Sequence, residues 1–231
     1  MKAWPCVAAA LFFAEPLFAQ AYGCRVPARV AVPRIAPDTP PWALPVTGYT
    51  LALSWSPAFC RTRQFARSHA RQCSGRAGQF GLVVHGLRPE SGRGWPQWCR
   101  TAAYPAPADL ARNMCITPSP RLLARQWAKH GSCMARRPET YYKITRILWN
   151  SLVLPDLDRL SRQPDLTAGD LRAIMAAANP SWSEQSIGLV LDSGWLQEVR
   201  LCYDRRFRPA SCDKRRFGPA DDVPLKIWRG L

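Results

Sequence analysis

Cysteines are the feature that most constrains the fold of this 231-residue chain, which contains nine of them. One of them, Cys6, lies in an N-terminal segment that we expect to be removed, which leaves an even number. An even number of cysteines in an exported protein favours disulfide bonds. Cys60 with Cys73 and Cys202 with Cys212 would each close a short loop, although the spacing leaves other connectivities open. The eight remaining cysteines are Cys24, Cys60, Cys73, Cys99, Cys115, Cys133, Cys202 and Cys212.

The N-terminus has the pattern of a signal peptide. A basic residue precedes a mostly apolar stretch, residues 7–18, and AQA at residues 19–21 matches an A-x-A cleavage pattern. We predict a signal peptide over 1–21 and a protein that is periplasmic or secreted. The apolar stretch is shorter than the roughly 20 residues of a membrane helix, so the sequence predicts no membrane span. A lipid-modified Cys24 is the alternative, but Tyr22 fits a lipoprotein signal poorly.

The charge balance predicts a polyanionic partner. Lysine and arginine number 32 against 16 aspartate and glutamate, which gives a net charge of +16 and a sequence pI near 10.1. This balance favours nucleic acid ahead of anionic lipid or cell wall, although a need for solubility alone would also explain it. The cysteines and histidines lack the paired spacing of a zinc site, so we predict no metal.

The chain is long enough for one domain with a sizeable core, and no repeat or change in composition indicates a second. Residues 25–46 contain six prolines and almost no periodic apolar pattern. We therefore predict that residues 22–46 form an extended, weakly ordered arm that acts as a spacer. The folded domain is predicted to span 47–231 and to be a monomer.

Two runs in the first half of the chain predict strands. Residues 49–55 alternate with period two, which is typical of a strand with one buried face. Residues 80–85 form a short apolar, β-branched run that stops at Gly86 and Pro89. We expect this second strand to be central in the sheet and to carry His85 at its end.

Three helices and a hairpin follow from the remaining periodic segments. The spacing of apolar residues predicts helices over 120–130, 139–152 and 168–178. Two further runs, 187–191 and 195–203, flank a turn typical of a hairpin. A proline at the first turn and a glycine just past the end mark the limits of the first helix. The mixture of strands and helices predicts an α+β domain.

Only three histidines occur, and two of them, His85 and His130, are each followed by glycine. A lone histidine is usually structural or solvated. However, Gln126 and His130 are i, i+4 neighbours on the predicted helix, and Lys129 lies beside them. These groups would form a polar cluster next to an apolar stripe that contains Trp127. The residues alone do not decide between a site and a structural role.

Two segments resemble the active-site segments of the ribonuclease T2 family, in the expected order. They are residues 80–89 (FGLVVHGLRP) and residues 125–133 (RQWAKHGSC). Further similarity at 53–60 and 196–203 extends the resemblance from about residue 47 to the C-terminus. The resemblance implies the family's fold, a central antiparallel sheet packed with several helices and stabilised by disulfides.

The resemblance also implies cleavage of single-stranded RNA without a metal or any other cofactor. The phosphodiester would be transferred to the ribose 2'-oxygen, giving a 2',3'-cyclic phosphate. By the same resemblance, His130 is the general base and His85 the general acid, while Lys129 stabilises charge on the phosphoryl oxygens. Histidine suits both roles because its ordinary pKa is about 6.5.

Three positions depart from the family pattern. Gln126 stands where the family usually has glutamate, Arg125 replaces a common histidine, and Arg88 replaces a tryptophan. Gln126 stays among the predicted catalytic residues because its amide can donate to a phosphoryl oxygen, but we expect weakened catalysis. The added positive charge should lower the pKa of both histidines and favour activity at acidic pH.

Residues near the two motifs are candidates for substrate binding, because planar groups stack on unpaired bases and a carboxylate accepts from a base edge. Core packing explains the tryptophans equally well. The predicted substrate-binding residues are Arg88, Glu90, Trp95, Arg125 and Trp127. Trp98 is a further stacking candidate. The resemblance also suggests a bridge between Cys99 and Cys133, which would leave Cys24 and Cys115 as the last pair.

Two other functions are alternatives at this point. The departures from the family pattern suggest a catalytically impaired relative that binds RNA without cutting it. The net charge alone suggests a cationic antimicrobial or surface-adhesion protein, although no amphipathic basic helix supports this role. Such a protein would keep its function without the two histidines, whereas a ribonuclease would lose it.

Overall fold

A four-stranded antiparallel sheet lies at the centre of the structure, a computed structural model that describes residues 21–230. Its strands are β1 (Gly48–Trp55), β2 (Leu82–Glu90), β3 (Ile187–Asp192) and β4 (Trp195–Asp204), in the order β2-β1-β4-β3. The helices are α1 (Ser56–Cys60), α2 (Ala70–Cys73), α3 (Pro107–Ala111), α4 (Pro120–Lys129), α5 (Pro138–Asn150), α6 (Leu157–Leu160), α7 (Ala168–Ala178) and α8 (Lys214–Phe217). The domain is therefore α+β, as the sequence predicted.

The two faces of the sheet differ in polarity because side chains alternate along each strand. One face carries Leu51, Leu53 and Val199, which are fully buried and belong to a core shared with α4, α5 and α7. The other face carries Glu198 and Arg200 on β4. The apolar face therefore holds the fold together, and the polar face is left for a site.

Helix α4 has the limits that its sequence predicted. The Ser119 side chain accepts a hydrogen bond from a backbone N–H of the first turn, and Pro120 opens the helix. Gly131 follows the helix end, where an added Cβ would lie 2.6 Å from the Trp127 ring. Only glycine fits there, so the chain can turn immediately after His130. The two other predicted helices correspond to α5 and α7.

Strand β2 is longer than the sequence predicted, and it lies at the edge of the sheet and not at its centre. His85 lies inside the strand and not at its end. Pairing with β1 continues past Gly86 as far as Glu90, which lies opposite Gly48. The predicted strand end was wrong because a proline is tolerated on an edge strand, and β2 is at the edge of the sheet. Pro89 therefore does not stop the strand.

Four disulfides cross-link the described residues. They are Cys24–Cys115, Cys60–Cys73, Cys99–Cys133 and Cys202–Cys212. These are the pairs that loop spacing and the resemblance had suggested. Two of them close short loops, whereas the first joins residues 91 positions apart and so attaches the arm to the domain.

The arm, residues 22–46, lies against the domain. The prediction of a weakly ordered spacer was therefore wrong. Backbone hydrogen bonds join Tyr22 to Gln79 and Trp42 to Gln97. The arm also contributes a buried valine to the core. It is therefore anchored near both ends, and the residues between the anchors lie close to the domain.

The predicted signal peptide falls on residues that lie outside the described part of the chain, apart from Ala21. Within residues 21–230, no helix is long and apolar enough to cross a membrane. The division of the chain at residue 47 stays a prediction.

Arg172 on α7 fastens the C-terminal segment to the sheet. The side chain is fully buried, and its guanidinium pairs with Asp221. It also donates to the backbone oxygens of Ile187, Phe217 and Pro219. Because these oxygens belong to β3, to the end of α8 and to the segment just after it, one side chain holds α8 beside the sheet.

Replacing Arg172 with leucine should destabilise the fold strongly, because several buried carbonyl oxygens would lose their donor. We expect a loss of about 3 kcal/mol or more in the free energy of unfolding. Arg162→Leu is the matched control, since that exposed arginine forms a surface pair with Asp158 and should cost less than about 1 kcal/mol. Urea unfolding with the disulfides intact measures both; equal losses would contradict the role given to Arg172.

Candidate active site

A β-bulge sets the position of His85. In the pairing of β1 with β2, Ala52 lies opposite Gly86 and Leu53 lies opposite Val84, so His85 is the extra residue. Bulges re-aim a side chain and are common next to active sites. His85 accordingly lines a cavity that also receives the end of α4.

The C-terminal end of α4 supplies Gln126, Lys129 and His130. The i, i+4 spacing puts Gln126 and His130 on one face of the helix, and both side chains are buried. Gln126 packs on the backbone of Gly86, where an added Cβ would lie 2.0 Å from Oε1. The glycine after His85 therefore allows α4 to approach β2 and bring the two histidines to one cavity.

One cavity of about 470 Å³ unites the two sequence motifs. Eight of the nine residues predicted to be catalytic or to bind substrate line it. These are His85, Arg88, Glu90, Trp95, Arg125, Gln126, Lys129 and His130. The fold thus brings together residues that are far apart in the chain.

Trp127 is the ninth residue, and the prediction that it contacts substrate is wrong. Its side chain is only 1% exposed and packs beside the ring of Tyr141. Its indole N–H donates to the backbone oxygen of Ala103 at 3.0 Å. A ring enclosed in the core cannot stack on a base. Trp98 is buried as well, whereas Trp95 at the cavity is 50% exposed.

Glu198 is a site residue that the sequence analysis did not single out. One carboxylate oxygen lies 2.9 Å from His85 Nδ1, and the other accepts from Arg200 Nε at 2.9 Å. Arg88 Nη2 lies 3.7 Å from the same carboxylate. Burial opposes ionisation, but the hydrogen bond from His85 and the charge of Arg88 outweigh it and lower the pKa of Glu198 to about 2. The ionised carboxylate fixes the orientation of the His85 ring.

His130 is in a very different environment. Burial, together with the positive charges of Arg88 and Lys129, lowers the pKa of His130 to about 3. The pKa is therefore lowered at this histidine, but burial and not the added positive charge is the largest cause. In the unfolded chain, His130 becomes protonated near its ordinary pKa of about 6.5, whereas in the folded protein it stays neutral down to about pH 3. The folded state therefore loses stability relative to the unfolded chain as the pH falls through this range.

The arm places Asp38 against two cations of the site. The Asp38 carboxylate is paired with Arg125 and lies 3.3 Å from Lys129 Nζ. The indole N–H of Trp98 donates to Thr39 at 2.9 Å and holds the arm at this point. The hydrogen bond from Arg125 holds the pKa of Asp38 well below its usual range. Part of the positive charge of Lys129 is therefore balanced by the arm.

Of the two acidic residues that the sequence analysis missed, only one left a signal in the sequence. Glu198 is a charged residue in a strand between Leu196 and Val199, so the alternation of β4 could have pointed to it. Asp38 left no signal, because it lies in a proline-rich segment and its partners are 87 and 91 residues away.

A disulfide and a backbone hydrogen bond hold the end of α4. Cys133, just past the helix, is bonded to Cys99 in the segment after β2. The backbone N–H of Trp98 donates to the carbonyl oxygen of Lys129 at 2.7 Å. The segment after β2 therefore fixes the helix end that carries His130.

The cavity is electropositive. Arg200, Arg215 and Arg216 line it together with the cations of the two motifs, and the opposing carboxyl groups are Glu90 and Asp213. Burial raises the pKa of Glu90, which disfavours its charged form. In the part of the chain that the structure describes, no group of three or more histidine, cysteine or acidic residues is placed to hold a metal. The excess of positive charge in the cavity suits an anionic ligand.

Two curated proteins are similar to the chain in sequence. A probable ribonuclease from Haemophilus influenzae is 32% identical over an alignment of 187 residues that covers 74% of this chain and 62% of that protein. A ribonuclease from Aeromonas hydrophila is 35% identical over 96 residues, which cover 42% of this chain and 41% of that protein. The chain thus spans less than two thirds of the length of either relative. No family model matches it.

Solved structures show the same fold at low sequence identity. Trichomaglin, an S-like ribonuclease, aligns with a TM-score of 0.62 and 21% identity over 79% of this chain and 98% of its own. RNase NT, solved in complex with 5'-AMP, aligns with a TM-score of 0.58 and 19% identity over 78% of this chain and 99% of its own. The chain therefore has the fold of T2-type ribonucleases.

Gln126→Glu should raise the pKa of His130, because a carboxylate one helical turn away would offset the charges of Arg88 and Lys129. We expect the pKa to rise by at least about one unit. An NMR titration of the imidazole protons measures it. Gln163→Glu, at an exposed position outside the cavity, is the control and should leave the titration unchanged. The same curve for His130 in both variants would refute this electrostatic account.

Asp38→Asn should allow inorganic phosphate to bind more tightly, because the carboxylate competes with an anion for Lys129 and Arg125. Titration calorimetry measures the affinity. The control is Asp158→Asn, which removes a carboxylate that is also paired with an arginine but lies outside the cavity. Weaker binding of phosphate to the Asp38 variant would show that the arm positions the cations instead of competing for them.

Proposed function

We propose that this chain is a secreted or periplasmic endoribonuclease of the T2 type. It cleaves single-stranded RNA by attack of the ribose 2'-oxygen on phosphorus, which releases the 5'-oxygen and leaves a 2',3'-cyclic phosphate. The observation that carries the proposal is that His85 and His130 line one cationic cavity in contrasting environments. The electropositive cavity suits the phosphate backbone of RNA.

His130 is the general base in this proposal. A base must be unprotonated to accept the 2'-hydroxyl proton, and with a pKa of about 3 His130 is neutral at ordinary pH. A bound phosphodiester adds a negative charge beside the ring, which raises the pKa of His130 and strengthens it as a base.

His85 is the general acid. Its Nδ1 faces the Glu198 carboxylate, so Nε2 is the ring atom left for the substrate. The carboxylate balances the positive charge that a histidine carries before it gives its proton away. As the bond between phosphorus and the 5'-oxygen breaks, His85 supplies the proton to that oxygen, while His130 keeps the proton of the 2'-hydroxyl.

Lys129, Arg88 and Gln126 stabilise the negative charge that develops on the phosphoryl oxygens. Fixed cations and amide donors in a partly water-excluded cavity are effective in this role. Gln126 lines the cavity, and an amide NH2 group can donate to a phosphoryl oxygen. The site needs no metal for these steps.

Trp95 and Glu90 are the candidates for base recognition. The half-exposed ring of Trp95 at the cavity can stack on an unpaired base. Glu90 is buried in the same cavity and can exchange a hydrogen bond with a base edge. Arg88 and Arg125 would contact the backbone. The chain would act as a monomer, and its four disulfides suit an oxidising compartment.

The competing function is binding of RNA without cleavage. It is favoured by Gln126, which lacks the charge of the family's usual glutamate, and by the contact of Asp38 with Lys129. Both features weaken the site without closing the cavity. A ribonuclease would leave new 2',3'-cyclic phosphate ends on RNA, whereas a protein that only binds RNA would leave no new ends.

Incubation of homopolymer RNAs with purified protein and a chelator tests the proposal. We expect 2',3'-cyclic phosphate ends by mass spectrometry, and a loss of at least about 100-fold in rate for His85→Ala and for His130→Ala. His69→Ala is the matched control, because the third histidine lies outside the cavity and should leave the rate unchanged. RNA that is bound but never cut by the wild-type protein would favour the competing function.

A further inference from the structure

The part of the cavity formed by β4 and α8 carries arginines that the proposed reaction does not use. These are Arg200, Arg215 and Arg216. Arg200 is paired with Glu198, and Arg216 with Asp213. Arg215 is exposed, and no carboxylate among the described residues lies within ion-pair distance of it. Its guanidinium is therefore available to a ligand in the cavity, and the more distant charge of Asp213 acts on it.

Helix α8 is fixed in place. The disulfide Cys202–Cys212 attaches the preceding segment to β4. At Gly188 on β3, an added Cβ would lie 1.9 Å from the carbonyl oxygen of Arg216, so the backbone of α8 packs directly on the strand. Together with Arg172, these contacts hold the backbone that carries the basic side chains.

A chain of contacts connects α8 with His85. Arg200 Nη1 donates to the backbone oxygen of Arg215 at 3.3 Å. Arg200 Nε donates to the Glu198 carboxylate, which in turn contacts His85 Nδ1 at 2.9 Å. The backbone of Arg215 therefore lies on the His85 side of the cavity, where the proposed mechanism puts the departing 5'-oxygen.

We infer that Arg215, supported by Arg200 and Arg216, forms a subsite for the RNA phosphate on the 3' side of the scissile bond. The inference rests on the proposed function, because His85 as general acid identifies that side. The nucleotide that departs with the 5'-oxygen carries the next phosphate on its 3'-oxygen. A guanidinium matches a phosphate with two parallel hydrogen bonds. The cavity of about 470 Å³ is large enough for a ligand bigger than one phosphate.

Three RNA substrates that differ by one phosphate test this subsite. A dinucleoside monophosphate contains only the scissile phosphate, and adding a terminal phosphate extends it in either the 3' or the 5' direction. A 3'-phosphate should raise kcat/KM by about tenfold, which corresponds to one charge-assisted contact. A 5'-phosphate should give a smaller gain. An equal gain from both would overturn the inference, because attraction by net charge does not distinguish the two ends.

Arg215→Gln should remove most of the gain that the 3'-phosphate gives, and Arg215→Lys should retain part of it. Arg76→Gln is the matched control, because Arg76 is also exposed and lies outside the cavity. It should keep the full gain. An unchanged gain in Arg215→Gln would show that Arg215 binds no phosphate.

A binding measurement separates failure of the subsite from failure of the proposed function. Dinucleotides of 2'-deoxyribose lack the attacking hydroxyl, so the proposed reaction cannot cleave them. The wild-type protein should bind the 3'-phosphorylated form about tenfold more tightly than the unphosphorylated form, and Arg215→Gln should not. If this difference is found but RNA is not cleaved, the proposed activity fails and the subsite is supported. Equal binding of both forms refutes the subsite, whether or not RNA is cleaved.

Discussion

The carboxylate of Glu198 is the charge around which the polar face of the sheet is organised. A buried carboxylate is costly unless cations and hydrogen bonds surround it. His85 and Arg88 on β2 and Arg200 on β4 meet this need. These contacts join two strands that both pair with β1 but do not pair with each other. The Glu198 carboxylate thus orients His85 and holds the Arg88 guanidinium near His130. Through Arg200, it is also connected to α8.

Two chemically identical side chains acquire different properties from the elements that carry them. His85 emerges from a bulge in an edge strand and meets an ionised carboxylate. His130 lies at a helix end, where burial and neighbouring cations keep it neutral. A histidine paired with a carboxylate and a histidine kept neutral suit the roles of acid and base. This contrast depends on the close approach of α4 to β2, and that approach needs a glycine at position 86.

Local patterns in the sequence predicted helix α4 and the polar cluster at its end, because its cap, its apolar stripe and its terminal glycine are all nearby in the chain. The length of β2 was not predictable, since the effect of Pro89 depends on where the strand lies in the sheet. Trp127 was ambiguous, because a motif residue can serve the core or the substrate and only burial decides. Asp38 escaped detection because nothing near it in the sequence identifies the partner of an extended segment.

The disulfide between Cys24 and Cys115 also governs the contact between Asp38 and Lys129. The arm is covalently joined to the domain ahead of Asp38 and hydrogen-bonded to it again at Trp42. The carboxylate is therefore an intramolecular partner with a high effective concentration, which dilution of the protein does not reduce. An anion that enters the cavity therefore meets a carboxylate that is part of every molecule, and the length of chain between the two anchors sets its effective concentration.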